Sequence, residues 1–341
     1  MQRRQPRAKV VAVDFSPRSI AIAKRLQREL PELRTIRFQV ADLATPSLSE
    51  VLGRDFDFIS CHGVLSYIPT AEVALRNLAR CLKPNGALYL GVNGARHPSV
   101  VLRQTLPAFG FDVAVMKDDD RHLRKILSLC DAMLGRVGSN RVAKFKAELL
   151  AGDVFGPIIS NLSLARWVRI ARRAGLHFRG SLRAWQAMRP ALAADGGHLL
   201  MPRSRAQICE LADRMSPGSF HRAVFTCEPE ANPPWQEPKA LLSWYPILSR
   251  LYRGGLPQRS RSWHAPRIFA LRSRTANTQL DWYLPEWTLE ILRHSDGRRT
   301  LGALLATLPY AVPPRLMQRH LYLLHQLLVI TLVPTPCLLS D

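Results

Sequence analysis

The sequence is short of acidic residues, of paired cysteines and of long apolar runs, and each shortage excludes a class of protein. Its 341 residues hold 26 Asp and Glu against 48 Lys and Arg, which gives a formal net charge of +22. None of the six cysteines forms a Cys-x-x-Cys pair or a metal-ligand spacing, so we expect buried thiols rather than a disulfide framework or a zinc site. The longest apolar stretch, Leu321 to Val333, is broken by His325 and Gln326 and is too short to span a bilayer.

Targeting signals are also missing from the start of the sequence. The apolar run after Lys9 is short and ends at Asp14, so we expect no signal peptide. Since nothing points to export or to a membrane partner, we expect a cytoplasmic protein. The excess of arginine would suit an anionic partner such as nucleic acid. Because arginine is spread along the whole chain, with no arginine–aromatic motif, a solvated basic surface is the favoured interpretation.

Strand and helix patterns alternate between residues 8 and 93. Ser16 and Pro17 are typical of a helix start, and Lys83-Pro84-Asn85-Gly86 is typical of a turn. The patterns predict strands at Val10–Asp14, Ile36–Val40, Phe56–Cys61 and Ala87–Val92, and helices at Pro17–Leu30 and Ala71–Leu82. Such alternation predicts an α/β fold with a parallel, doubly wound sheet.

The remainder of the chain predicts an insertion and a second domain. Residues 94–160 are predicted as a helical insertion or lid, with helices near Leu123–Leu134 and Arg141–Leu150. A helix at Leu162–Ala174, a strand at Leu176–Leu182 and a last strand at His221–Cys227 complete a first domain over residues 1–229. Residues 230–279 are predicted as a linker, and residues 280–341, with helices followed by a strand, as a small winged-helix-like domain.

Polar residues and glycine stand where the first three strands end. The carboxyl ends of parallel strands share one edge of a sheet, and ligands bind at that edge. Asp14 could accept hydrogen bonds from two ribose hydroxyls, or it could complement the dipole of the helix that follows. Asp42 could accept from an adenine amino group, or it could be a turn aspartate. His62 and Gly63 come directly after the third strand, so we expect them at the same edge.

In this order, and with Leu82-Lys83-Pro84-Asn85-Gly86 after them, these segments resemble the class I S-adenosylmethionine-dependent methyltransferases over Val10 to Val92. The resemblance implies a Rossmann-like sheet and S-adenosylmethionine as cofactor. In it, the acid at Asp14 binds the ribose, the acid at Asp42 lies by the adenine, and Cys61 to Gly63 line the methionine part. The residues that it implies at the cofactor are Asp14, Phe15, Ser16, Ala41, Asp42, Leu43, His62 and Gly63.

Catalytic and metal sites are not assigned by these patterns. His62 and Tyr67 are candidates for a general base, although ring packing is the favoured interpretation of both. His320 and His325 are five residues apart and so lie on different helix faces, which excludes a helical metal pair. The run Asp118-Asp119-Asp120 is expected to cap a helix rather than to bind a metal.

One departure from the family pattern concerns glycine. In the family, a first strand and a glycine-rich loop precede the acid at Asp14 by roughly 30 residues. Only 13 residues precede Asp14 here, and none is glycine. We therefore expect a sheet that lacks its first strand, through an N-terminal truncation before the loop. A non-catalytic remnant or a regulatory protein is the alternative that this departure leaves open.

A second resemblance concerns the rest of the chain. Asp153 to Phe155, Leu162 to Trp167 and Arg173 to Gly180 resemble bacterial methyltransferases with a regulatory-type region, some of which act on protein lysines. Ile291 to Leu301 resembles their winged-helix tail. The implied partner is a methyl acceptor, either a protein or a small molecule. A nucleic-acid methyltransferase is the other alternative, but Pro314 to Leu328 carries mainly leucine and indicates a packing helix. The patterns do not assign an oligomeric state.

Overall fold

The structure is a computed structural model that describes residues 8–110, 158–181, 203–215, 220–249, 267–272 and 279–337, with residues 125, 128 and 156. The chain divides into two compact units, one formed by Met1–Phe178 with Gly218–Glu228 and the other by Arg179–Pro217 with Pro229–Asp341. The predicted first domain, residues 1–229, ends close to the point where the first unit ends, at Glu228. Residues 179–217, which were predicted within that domain, belong to the second unit.

The first unit alternates strands and helices as the sequence predicts. Its strands are β1 (Val10–Asp14), β2 (Ile36–Val40), β3 (Phe56–His62), β4 (Leu82–Asn93), β5 (His177–Ser181, where the unit ends) and β6 (Phe220–Thr226). Its helices are α1 (Pro17–Glu29), α2 (Leu48–Leu52), α3 (Ala71–Cys81), α4 (Pro98–Thr105) and α5 (Leu164–Arg173). The predicted helices near Leu123–Leu134 and Arg141–Leu150, and Asp118 to Asp120, lie outside the described residues.

The sheet of the first unit is divided in two. β1 pairs with β2 in parallel, from Val10 opposite Ile36 to Asp14 opposite Val40. β3 pairs with β4 in parallel and stands at the end of a four-stranded sheet in the order β3-β4-β6-β5. Among the described strands, β1 pairs only with β2, and β3 only with β4. The doubly wound α/β fold is confirmed, with a break between β1 and β3.

β6 corrects the expectation of a parallel sheet, because it runs antiparallel to β4. Its burial alternates strictly, with His221, Ala223 and Phe225 buried and their neighbours half-buried. Parallel strands covered on both faces are apolar throughout, whereas alternation is typical of antiparallel strands with one covered face. The alternating burial of β6 agrees with its antiparallel direction.

The predicted turn before β4 is a bulge within that strand. Leu82 already pairs with Phe56, and the register shifts before Ala87 pairs with Phe58. Strand β4 therefore begins at Leu82 rather than at the predicted Ala87, because the backbone pairs with β3 on both sides of the turn. Lys83 Nζ lies 2.7 Å from Asp57 Oδ1 across the bulge, so this exposed ion pair links the two strands there.

The second unit contains the C-terminal helices. They are α6 (Arg205–Met215), α7 (Glu286–Arg293), α8 (Leu301–Leu305) and α9 (Pro314–Gln326). Its strands are β7 (Tyr245–Leu248), β8 (Arg267–Arg272), β9 (Gln279–Leu284) and β10 (Ile330–Val333). β10 pairs antiparallel with β7, and β8 with β9. The predicted linker thus supplies β7 and β8 to these pairs, and the winged-helix-like character of residues 280–341 stays a prediction.

α9 is a packing helix, as its leucines predict. It buries six side chains, which are Met317, Leu321, Tyr322, Leu323, Leu324 and His325. This burial fits the packing interpretation, while the first turn of the helix, Pro314 to Leu316, is exposed. None of the described helices is long and apolar enough to cross a membrane.

A buried charged cluster lies at the end of α9. The Arg205 side chain pairs with Glu230 and donates hydrogen bonds to the backbone oxygens of Arg179, at 2.8 Å, and of His325, at 2.7 Å. The His325 ring is 3% exposed, and its Nε2 lies 3.5 Å from Glu230 Oε1. Burial, with Arg205 and Arg179 nearby, lowers the pKa of His325 well below its usual 6.5.

We expect acid to destabilise the second unit through His325. In the unfolded chain the His325 ring takes up a proton near pH 6.5, whereas in the folded chain it stays neutral to a lower pH. The stability that the neutral, buried ring contributes is therefore fully present above pH 6.5. It is lost progressively as the pH falls through 6.5 toward the lower pKa of the folded state. Thermal unfolding midpoints, measured from about pH 8 to about pH 5, should fall more steeply for the native chain than for His325→Gln. Equal slopes in the two proteins would contradict this assignment.

Candidate functional site

A cavity of about 890 Å³ lies where β1, β2 and β3 end. It extends along the break in the sheet, from Val11 and Phe56 to Asp14 and Gly63. The lining is mainly apolar, with polar groups at the carboxyl ends of the strands. It consists of residues 11–15, 41–44, 52, 56, 58–61, 63, 64, 67–70, 78 and 81. Of the eight residues predicted at the cofactor, Asp14, Phe15, Ala41, Asp42, Leu43 and Gly63 line this one cavity, whereas Ser16 and His62 do not.

Asp14 stands exposed at the end of β1, followed by the first turn of α1. Its Oδ1 accepts a hydrogen bond from the Ser16 amide at 2.8 Å. The Ser16 hydroxyl accepts from the Ser19 amide at 3.2 Å, so the predicted N-cap is confirmed. Each carboxylate oxygen can accept two hydrogen bonds, which leaves Asp14 with acceptor capacity toward the cavity. The side chain of Ser16 is used to cap the helix.

Asp42 and Leu43 form the neighbouring part of the wall. Asp42 Oδ1 accepts from the Ala44 amide at 2.8 Å, which makes the turn that the alternative interpretation of this residue predicts. Asn77 Nδ2 donates to the backbone oxygens of Leu43, at 3.0 Å, and of Thr45, at 2.9 Å. The loop after β2 is therefore held in place from α3 by a buried amide.

Asn77 is a functional residue that the motifs do not reveal. It is 3% exposed and lies on the apolar face of α3, beside Ala74 and Leu78. A polar side chain on such a face needs a hydrogen-bond partner, since burial without one is costly. An asparagine within an otherwise apolar helical stripe is thus the sequence signal that could have identified it.

His62 and Gly63 are adjacent at the end of β3 but have different surroundings. Gly63 faces the cavity, has a left-handed φ of +70° that favours glycine, and donates its amide to the Gly91 oxygen at 2.9 Å. The His62 ring lies against Gly91, where a Cβ atom would approach His62 Nδ1 to 2.5 Å. It stacks with Tyr89, at 5.8 Å between ring centroids, and contacts Phe220 at 4.9 Å. The His62 ring therefore packs on neighbouring strands while the residue as a whole is exposed, and its part in the site stays a prediction.

Tyr67 lines the cavity close to Gly63, and its hydroxyl is held by Asn93 at the end of β4. Asn93 Nδ2 donates to Tyr67 Oη at 3.3 Å. The backbone N–H of Asn93 donates to Ser66 Oγ at 2.8 Å, and the backbone oxygen of Asn93 accepts from Trp167 Nε1 at 3.1 Å. Asn93, Ser66 and Trp167 are all buried, so this network fixes the position of the tyrosine hydroxyl.

The Cys61 thiol is in the cavity wall but is not a nucleophile. Burial raises its pKa to about 12, so the group stays protonated at neutral pH. Among the described residues, no group of three histidine, cysteine or acidic side chains is arranged to hold a metal ion. The polar groups available to a ligand here are carboxylates, the hydroxyls of Ser60, Tyr67 and Thr70, and backbone.

These residues fit the nucleoside part of S-adenosylmethionine. Asp14 offers acceptor oxygens for ribose hydroxyls, and the fixed loop at Asp42 and Leu43 offers an acceptor beside an apolar surface for an adenine ring. Gly63 lets the backbone approach the remainder of the cofactor. The assignment of individual residues to parts of the cofactor stays a prediction.

Comparison with known proteins agrees with this geometry. A family model described as a methyltransferase domain matches residues 1–88. Among solved structures, PKMT2 from Rickettsia typhi in complex with AdoHcy is similar, with 14% identity and a TM-score of 0.52 over 97% of this chain and 68% of the other. PKMT2 from Rickettsia typhi has a second similar structure, with 13% identity and a TM-score of 0.52 over 98% and 68%. A search of curated proteins found no match.

Residues 1–88 of the chain thus match a methyltransferase domain. The solved structures, at this level of identity, establish the Rossmann-like fold. The matched residues include β1, β2 and β3, whose carboxyl ends carry the cavity.

Proposed function

We propose that this protein transfers a methyl group from S-adenosylmethionine to a nucleophilic atom of a protein or a small molecule. The observation that carries the proposal is the cavity that brings Asp14, Asp42 and Gly63 together from three strand ends, with Tyr67 beside them. The division of the sheet keeps a non-catalytic role as the competing proposal. A cytoplasmic location accompanies both.

The residues of the chain act by positioning. S-adenosylmethionine supplies a methyl group on a positively charged sulfur, which a nucleophile can attack in line. Asp14 would fix the ribose, and the loop held by Asn77 would fix the adenine. With the nucleoside held at these points, the methyl group would lie toward Gly63 and Tyr67. Holding two reactants in such a geometry supplies much of the acceleration of a transfer of this kind.

Tyr67 is the side chain placed to contact the acceptor. Because Asn93 fixes its hydroxyl, Tyr67 can orient the attacking atom without rearranging. His62 is the less favoured candidate for this role, since its ring packs on Gly91 and the residue is not among those that line the cavity. A base is needed only if the acceptor must lose a proton before attack.

The direct test is calorimetric titration of the chain with S-adenosylhomocysteine, followed by transfer of a tritiated methyl group to candidate acceptors. Label in the protein fraction would identify a protein acceptor, and label in the small-molecule fraction the other class. We expect saturable binding. Absence of binding up to about 1 mM would remove the enzymatic proposal in favour of the non-catalytic role.

For Tyr67→Phe we expect slower methyl transfer with nearly unchanged cofactor affinity. Loss of one positioning hydroxyl should lower kcat by about 10-fold to 100-fold, whereas the affinity for S-adenosylhomocysteine should change less than about threefold. Tyr89→Phe is the matched control, since Tyr89 packs on His62 outside the cavity wall. If both variants retain full kcat, Tyr67 has no part in the reaction.

A further inference from the structure

The outer face of α5 consists of arginine. The buried side chains of this helix are Leu164, Trp167 and Ala171. The exposed arginines are Arg166, Arg169, Arg172 and Arg173. At 3.6 residues per turn, these four positions fall within a sector of about 120° on the side opposite the buried residues. The row extends about 10 Å along the helix, which contains no acidic residue to interrupt it.

Helix α3 packs against α5 in the same unit and extends this row with the exposed Arg76 and Arg80. Glu72 is the single acidic residue on either helix. Its two carboxylate oxygens lie 3.2 Å from Arg76 Nη2 and 3.6 Å from Arg173 Nη1, so one carboxylate is shared between two guanidinium groups. Six arginines and one glutamate leave a net charge of +5 on what we call the arginine surface.

The charges on α5 oppose the stability of the helix that carries them. Arg166 lies in the first turn, where the positive end of the helix dipole disfavours a cation. Arg169 is three residues from Arg166 and from Arg172, and like charges at this spacing repel each other. Among the described residues, none of these three side chains has an ion-pair partner. Since such departures from local rules are typical of functional sites, the row indicates an anionic partner.

The chemistry of the arginine surface favours nucleic acid over protein or lipid. None of the large exposed apolar side chains in the described structure belongs to α3 or α5. A protein interface has an apolar or aromatic core, and a helix that lies in a membrane surface inserts apolar side chains. Interfaces with nucleic acid are instead polar and strongly positive. The guanidinium group also matches phosphate with two parallel N–H donors, and both helices contain arginine but no lysine.

We propose that the arginine surface binds the phosphodiester backbone of a nucleic-acid duplex without reading its sequence. Binding of single strands uses exposed aromatic side chains on which bases stack, and the one aromatic residue of these helices, Trp167, is buried. None of the six arginines lines the cavity, so this contact is separate from the site of the proposed function. The surface would hold the first unit on a polyanion, and its binding can be measured without cofactor.

The test measures binding of the full chain to fluorescent duplexes of about 20 base pairs by anisotropy, as DNA of two unrelated sequences and as RNA. Binding without sequence specificity predicts a Kd of about 1–100 µM near physiological salt, equal within about threefold for the two DNA sequences. Four arginines of the surface, Arg80, Arg166, Arg169 and Arg172, have no ion pair among the described residues. If each contacts one phosphate, the logarithm of the association constant should fall with the logarithm of NaCl concentration with a slope of about −3 to −4.

A triple variant removes the centre of the row. Arg166→Gln, Arg169→Gln and Arg172→Gln together should weaken duplex binding by about 10-fold to 100-fold and make the salt slope shallower by about 3, because three phosphate contacts are lost. The corresponding triple lysine variant keeps the charges and should keep most of the slope. Circular dichroism verifies that both variants are folded.

The matched control removes the same charge from another helix of the same unit. Arg18, Arg25 and Arg28 are exposed on α1, outside the cavity wall. Arg18→Gln, Arg25→Gln and Arg28→Gln together should change the affinity by less than about threefold and the salt slope by less than about 1. This control is needed because the whole chain carries a net charge of +22, which by itself attracts any polyanion.

Selective loss of duplex binding and of salt slope in the α5 variant would support the proposal. Equal losses in the two glutamine variants would overturn it, since the chain would then bind through its general charge. No binding of either duplex up to about 1 mM at low salt would also overturn it. So would tighter binding to polyglutamate, or to vesicles of phosphatidylglycerol, than to the duplexes, because the partner would then be an acidic protein or a membrane.

Discussion

Asp14→Ala is expected to weaken binding of S-adenosylhomocysteine by about 10-fold to 100-fold. The carboxylate is exposed at the end of β1 and lines the cavity, where it would accept charge-assisted hydrogen bonds from two ribose hydroxyls. Such bonds are about twice as strong as neutral ones, and losing two of them accounts for a change of this size. Calorimetric titration of the variant with S-adenosylhomocysteine measures the effect.

Asp57→Ala is the matched control for Asp14→Ala. Asp57 is an exposed aspartate of β3 whose partner is Lys83, and it is not in the cavity wall. Both variants remove one negative charge from the same unit, so a general electrostatic effect would appear in both. Unchanged affinity in Asp14→Ala would remove Asp14 from the ribose site and leave it only its hydrogen bond to the start of α1.

Trp167→Ala is expected to lower the free energy of unfolding by about 3–5 kcal/mol. The Trp167 side chain is fully buried in α5, and its indole donates to the Asn93 oxygen at 3.1 Å. Truncation removes a large apolar side chain and leaves a cavity beside the network that holds Tyr67. Since domains are stable by only about 5–15 kcal/mol, the variant should unfold at a much lower urea concentration, as measured by circular dichroism.

Trp167→Phe separates packing from hydrogen bonding at this position. It retains most of the apolar volume, and the Asn93 oxygen keeps the Leu162 amide as a donor at 3.4 Å. We therefore expect a smaller loss of about 1–2 kcal/mol. If the alanine variant were no less stable than the phenylalanine variant, α5 would not be fixed to β4 by this side chain.

The strands and helices that form the cavity could be predicted because their signals are local. β1 and β2 have the limits that their apolar runs predict, and Ser16 caps α1 as predicted. The ends of parallel strands meet at one edge by geometry alone, which is why Asp14 and Asp42 line one cavity. The positions of these residues in the site can therefore be predicted from the sequence without knowledge of side-chain packing.

Features that depend on packing were not predictable in the same way. The direction of the His62 ring depends on the missing Cβ atom at Gly91, a residue of another strand. The role of Asn77 depends on the carbonyls of a loop more than 30 positions away in the sequence. The direction of β6 depends on its pairing with β4, a distant segment of the chain. A single-segment pattern can mark a residue such as Asn77 as unusual, but it contains no information about which distant segment that residue contacts.

The division of the sheet also determines how the first unit opens. Since β1 and β3 share no backbone hydrogen bonds in the described structure, the segment from β1 to β2 can detach without breaking the ladder of β3, β4 and β6. The free energy of this local opening is then smaller than that of global unfolding, so amide hydrogens of β1 should exchange with solvent before those of β4. We expect the segment that carries Asp14 to open more readily than β4, and a ligand bound in the cavity to make that segment more ordered.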